Sequence, residues 1–251
     1  MPGTDELLLV GGGVLAGVVN TISGSGTLFS LGVMAWLNIP LVTANIATRP
    51  GVFFQNLAGV FVLRKYRQFS NDDIKRAPIV LVGLGAMLGA ICAGLISGSF
   101  FNLVASVVML FLLVQYLLPR GLLKIKALAF QKNNEIIQPV LFFVTGFYGG
   151  FIQIGIGILI LTLLLRYMAL PYAKANAYKL IIILVYTIPT TLYFAITGMI
   201  LWKPALLLAL GQIIGAYLAA LFISVSSYAK QWAKWITVMM ILITLLKIWV
   251  F

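Results

Sequence analysis

Ser23-Gly24-Ser25-Gly26 interrupts an apolar run near the start of the chain, and Ile154-Gly155-Ile156-Gly157 interrupts another. Each break is followed by a short apolar stretch that ends at a proline. The prolines open two matching hexapeptides, Pro40-Leu41-Val42-Thr43-Ala44-Asn45 and Pro171-Tyr172-Ala173-Lys174-Ala175-Asn176. One offset, 131 positions, carries Gly24 onto Gly155, Gly26 onto Gly157, Pro40 onto Pro171 and Asn45 onto Asn176. A chain of 251 residues that repeats this punctuation at half its length reads as two copies of one unit. In an apolar chain, corresponding interruptions in two halves point to a transporter with its site at their junction.

The sequence around the breaks is that of a membrane protein. Hydrophobic residues make up 62% of it and charged residues 9%, with a mean hydropathy of +1.11. So little polar surface cannot cover a soluble domain of this size, and the expected fold class is an all-α integral membrane protein. Apolar segments run at roughly 7–22, 28–39, 41–63, 77–97, 100–118, 136–153, 158–169, 175–198, 204–225 and 232–250. A full crossing takes about twenty apolar residues, so 28–39 and 158–169 are too short to cross comfortably alone. Each half, 7–118 and 136–250, is therefore expected to open with a Gly-broken helix or hairpin followed by three full spans. A cytoplasmic linker, 119–135, joins the halves within one membrane domain, 1–251. The N-terminal Met1-Pro2-Gly3-Thr4-Asp5-Glu6 lacks Lys and Arg, so no cleaved leader is expected.

Seventeen Lys plus Arg against five acids give a net charge of +12. The basic residues cluster between apolar segments, which is the pattern of cytoplasmic loops and not of a nucleic-acid surface. Counting every short segment as a crossing places Arg64, Lys65, Arg67, Lys75 and Arg76 inside, with Arg120, Lys124, Lys126 and Lys132. Arg166, Lys174 and Lys179 follow, then Lys230 and Lys234, so fourteen of the seventeen lie on one side. Both termini then lie outside. Five segments per half is an odd number, so the halves would be inverted. If each glycine break instead lies within one irregular span, the repeats are parallel and the N-terminus is inside.

Chemistry within the spans is sparse. Asp5, Glu6, Asp72, Asp73 and Glu135 all fall at ends or loops, there is no His, and Cys92 is the single cysteine. That pattern offers no acid–base pair, metal cluster, carboxylate proton relay or cysteine relay. Neither an enzyme nor a cofactor is expected. Arg49 is the exception among intramembrane residues. It lies about eight residues past Pro40, or ~12 Å at 1.5 Å per residue, too deep for easy snorkelling. An unpaired guanidinium there costs at least ~2.5–3.5 kcal/mol, and an anionic ligand would offset it. Lys179 aligns with Thr48, one position from Arg49, and Asn45 and Asn176 share helix faces with Arg49 and Lys179. Helices starting after Gly26 and Gly157 would add free N–H groups. Ser25, Thr27, Gln153 and Asn56 would add polar contacts beside Gly24 and Gly155. Each has a plainer alternative: glycines pack helices closely, Asn45 and Asn176 cap or cross-link them, and Lys179 is a snorkelling lysine.

These motifs resemble the TauE/SafE family, the sulfite exporters of bacterial membranes. The resemblance runs through Gly24-Ser25-Gly26, Pro40…Ala44-Asn45, Gln55-Asn56, Gly155-Ile156-Gly157, Pro171…Asn176…Lys179 and Gly198…Trp202. It implies passage of small sulfur anions, sulfite or organosulfonates, across the inner membrane. The anion and the lipid bilayer are then the expected partners, with no nucleic acid, and a homodimer is compatible. Import of a thiosulfate-like species and a non-transporting scaffold are the rival readings. Arg49 is matched by Leu180, so the two half-sites are chemically unequal.

Overall fold

The computed structural model describes residues 2–65, 75–117, 137–223 and 229–250; the linker expected at 119–135 lies outside them. All regular structure among the described residues is α-helical. In chain order the helices are α1 (Pro2–Ser23), α2 (Thr27–Trp36), α3 (Leu41–Ala47), α4 (Arg49–Lys65), α5 (Arg76–Leu95) and α6 (Gly98–Leu117). They continue with α7 (Ile137–Phe151), α8 (Ile156–Tyr167), α9 (Tyr172–Ile196), α10 (Trp202–Ile223) and α11 (Ala229–Val250). Among the described residues, six stretches are long and apolar enough to cross a bilayer: most of α1, the rod Leu41–Lys65, α5, most of α6, α9 and most of α10. The outward faces carry large apolar side chains such as Phe61, Leu103, Ile196 and Met239, as a lipid-facing surface requires.

The helix breaks fall where the sequence puts left-handed backbone. α1 stops at Ser23 because Gly24 takes φ +84°, and Gly155 takes φ +68° before α8. Asn38 (φ 60°) and Ala169 (φ 50°) then turn the chain ahead of Pro40 and Pro171, which open α3 and α9. An alanine in this region is uncommon, since its Cβ crowds the following carbonyl. The segment 41–63, expected to be one span, is a rod with an irregularity at Thr48. Thr48 N donates to Ala44 O and Val52 N to Thr48 O, both at 3.0 Å, so the ladder continues past Pro50, which has no N–H to give.

Two glycine-lined contacts tie the bundle together. Gly13 and Gly17 of α1 lie against α10, whose Gly211 and Gly215 lie against α1. Gly85 and Gly89 of α5 meet α7 in the same way, and Gly146 and Gly150 of α7 meet α5. A Cβ on Gly146 would sit 2.2 Å from the Val82 carbonyl, and one on Gly215 2.0 Å from that of Val14. Small residues four apart let backbones approach this closely, which is how helices gain packing energy in lipid. α4 packs against α9 and α10, and α5 packs against α9, so α4 and α9 run through the middle.

Polar contacts mark the two ends of the bundle. At one end Lys203 pairs with Glu6 at 2.9 Å, and Lys247 lies 5.9 Å from the Trp36 ring centre. Toward the other, the Tyr178 hydroxyl donates to Lys75 O and the Tyr172 hydroxyl to Ile22 O. One assignment is corrected here. Lys179, counted above with the loop lysines, is fully buried, because it lies about two turns inside α9 and finds its acceptors in the protein.

Candidate functional site

Arg49 opens α4 and has no solvent exposure. Its Nη2 donates to Gly150 O, and its guanidinium carbon lies 4.9 Å from the Phe194 ring centre. One turn earlier, Asn45 Nδ2 donates to Phe151 O at 3.1 Å. Gly150 and Phe151 end α7, where the last carbonyls lack intrahelical partners and carry the negative end of the helix dipole. The first half thus delivers a cation and an amide to the C-terminus of a helix from the second half. Arg49 Nε and Nη1 and Asn45 Oδ1 have no protein partner.

The turn after α7 adds more polar groups. Gln153 sits at φ 56°, is buried, and turns its amide toward Tyr186, with no backbone partner for either amide atom. Tyr186 of α9 lies beside Arg49, and its buried hydroxyl and the Gln153 amide are within reach of each other. The Tyr148 hydroxyl donates to Ile154 O and closes the turn.

The second half reaches back in the same manner, and here nothing is left over on the cation. Lys179 Nζ donates to Asn176 Oδ1 at 2.8 Å, Asn20 O at 3.2 Å and Thr21 O at 3.4 Å. Those three acceptors use all the donors an ammonium has. Asn20 and Thr21 lie in the last turn of α1, and Asn20 precedes Phe151 by the same 131 positions.

The structure therefore brings Asn45, Arg49 and Gln153 into one group and Asn176 and Lys179 into another. The glycine breaks meet each other directly. A Cβ on Gly24 would lie 2.6 Å from Gly157 Cα, and one on Gly157 2.5 Å from Gly24 Cα, so no anion fits between them. Gly26 packs on α1, where a Cβ would meet Ala16 O at 2.0 Å. Thr48 Oγ1 donates to Asn45 O at 2.9 Å, and Ser25 lies 2.9 Å from the Ser23 hydroxyl. Thr27 is buried at the start of α2. Asn56 donates to Val52 O at 2.6 Å, leaving its Oδ1 unpartnered, and Gly155 supplies the left-handed turn.

Sequence reasoning missed Tyr186, Phe194 and the α7 carbonyls. Tyr186 could have been found, since it stands 131 positions after Gln55, a buried polar residue of α4. The carbonyls could not, because any residue supplies one.

The fold and this buried polar group define a multi-pass, all-helical membrane protein. It has cations in its interior and no buried carboxylate among the described residues. The family model described as Sulfite exporter TauE/SafE matches residues 9–248, and the chain belongs to that family. The family is one of membrane transporters, described as exporters of sulfite. Searches of curated proteins and of solved structures find no match.

Proposed function

We propose that this chain carries small sulfur-containing anions, of the sulfite or organosulfonate type, out of the cell across the inner membrane. The substrate is held at Arg49, with Asn45, Gln153 and Tyr186 around it. The observation that carries this reading is a fully buried guanidinium whose Nε and Nη1 have no partner. Burying such donors unpaired is costly, and an anion would satisfy them. With the interior negative, each unit of negative charge gains about 2.3 kcal/mol per 100 mV on leaving, so export needs no coupling ion.

Lys179 is assigned a structural role, because its donors are fully used within the protein. We read the halves as inverted repeats that rock against each other at the Gly24–Gly157 contact. The recurrence of left-handed residues at Gly24 and Gly155, and at Asn38 and Ala169, supports a repeat at the 131-residue offset. So does the exchange of contacts, with α1 packed on α10 and α7 on α5.

Sulfite and sulfonate flux into proteoliposomes tests the proposal. Arg49→Ala and Asn45→Ala are expected to abolish flux while remaining folded. Variants that carry these anions as fast as the unaltered protein would remove the site.

A further inference from the structure

Resting on the site proposed above, we infer that it takes a singly charged, proton-bearing oxyanion, with hydrogensulfite as the type, and discriminates against dianions. Two observations converge on this class: the charge available in the site and the mixture of hydrogen-bonding groups left over.

Charge comes first. Of the two buried cations described, Lys179 is saturated by Asn176 Oδ1 and the carbonyls of Asn20 and Thr21. Arg49 alone keeps free donors. Among the described residues, the titratable groups nearby are phenols, Tyr186 on α9 beside it and Tyr148 on α7 beside Tyr186. Of the neighbouring helices, α1 bears Asp5 and Glu6 and α10 bears Lys203, all near their starts and away from the buried interior. One net positive charge therefore faces the ligand. A monoanion neutralises it, whereas a dianion leaves a buried negative charge unpaired.

The leftover polar atoms point the same way. Arg49 Nε and Nη1 are donors without a partner, while Gln153 and the Tyr186 hydroxyl are paired with each other. Asn45 Oδ1 is a buried acceptor without a partner, and the buried Gln153 amide, whose one contact is Tyr186, keeps acceptor capacity beside it. A fully deprotonated oxyanion answers the donors and strands the acceptors. An oxyanion that keeps a hydroxyl proton answers both kinds, and unmade hydrogen bonds in a buried site are what discriminate between close analogues.

Flux into proteoliposomes of the full chain, after subtraction of protein-free vesicles, tests the inference. Three probes suffice: sulfite across the neutral pH range, methanesulfonate as a monoanion throughout, and sulfate as a dianion throughout. Sulfate is expected to move at least ~10-fold more slowly than methanesulfonate, the order of penalty set by an unpaired buried charge. At constant total sulfite, flux should rise as pH falls and sulfite gains its proton, while methanesulfonate flux stays level. The variant Gln153→Leu, which removes an acceptor, should narrow the preference for sulfite over methanesulfonate at low pH. Sulfate flux equal to that of methanesulfonate, or sulfite flux that climbs with pH, overturns the inference. Those outcomes leave the transport site standing if flux still depends on Arg49; loss of Arg49 dependence removes both.

Discussion

Gly24 and Gly157 touch backbone to backbone across the two halves of the chain. A Cβ on Gly24 would lie 2.6 Å from the Cα of Gly157, and one on Gly157 2.5 Å from the Cα of Gly24, both too close for a side chain. Each glycine belongs to a break that ends a helix, so the two interruptions form one joint between the halves. Arg49 and Lys179 flank it, each bound to the carbonyl end of a helix from the opposite half.

Substitution at this joint should be costly and non-additive. Gly157→Ala forces a methyl into Gly24 and is expected to destabilise the protein by ~1–3 kcal/mol, the usual cost of overpacking. Gly24→Ala adds backbone strain, because its φ is +84°. In a double-mutant cycle read by thermal unfolding, the pair should couple by more than ~0.5 kcal/mol, since both methyls compete for one space. Strict additivity would mean that the two breaks do not meet.

Arg49 should separate function from stability. Arg49→Met removes a buried charge that makes one hydrogen bond to protein and replaces it with an apolar chain of similar length. Such exchanges are often neutral or stabilising, so thermal stability is expected to hold or rise. Flux in proteoliposomes should fall by ~10- to 100-fold, the value of a charge-assisted hydrogen bond. A variant that melts early yet transports normally would assign Arg49 to the scaffold.

Lys179 should behave in the opposite way. Lys179→Met strands Asn176 Oδ1 and takes a donor from Asn20 O and Thr21 O at the end of α1, and is expected to cost ~1–3 kcal/mol of stability in a melting experiment. Transport per folded molecule should be retained. Loss of flux at unchanged stability would return Lys179 to the substrate path.

The glycine seams predict a further asymmetry of position. Gly146→Leu drives a side chain into α5, where a Cβ would already lie 2.2 Å from Val82 O, and should block folding or expression. Gly83→Leu on α5 has nothing within 4 Å of its Cβ and should express normally. Equal yields from both, measured after detergent extraction, would contradict the α5–α7 packing.

Much of the fold could be read from the chain. The left-handed turns at Gly24 and Gly155, and the prolines that open α3 and α9, stand where the sequence interrupts its apolar runs. Such turns are local, dictated by the missing Cβ or the fixed φ of one residue. The rod Leu41–Lys65 was legible as a span, with Pro50 marking a kink, and the structure keeps the ladder closed around an irregularity at Thr48. Lys179 was misplaced. Sequence distance from a helix start does not tell whether a lysine finds acceptors within or reaches outward for water.

What the sequence settles alone is whatever one residue or a local run enforces: membrane residence through apolar content, helix ends through glycine and proline, and depth of Arg49 through rise per residue. Only the assembled bundle decides which donors are spent. Arg49 and Lys179 look alike in the chain, yet one keeps unpartnered N–H groups and the other does not. The difference lies in carbonyls at the ends of helices more than a hundred residues away, and long-range packing alone brings those within reach.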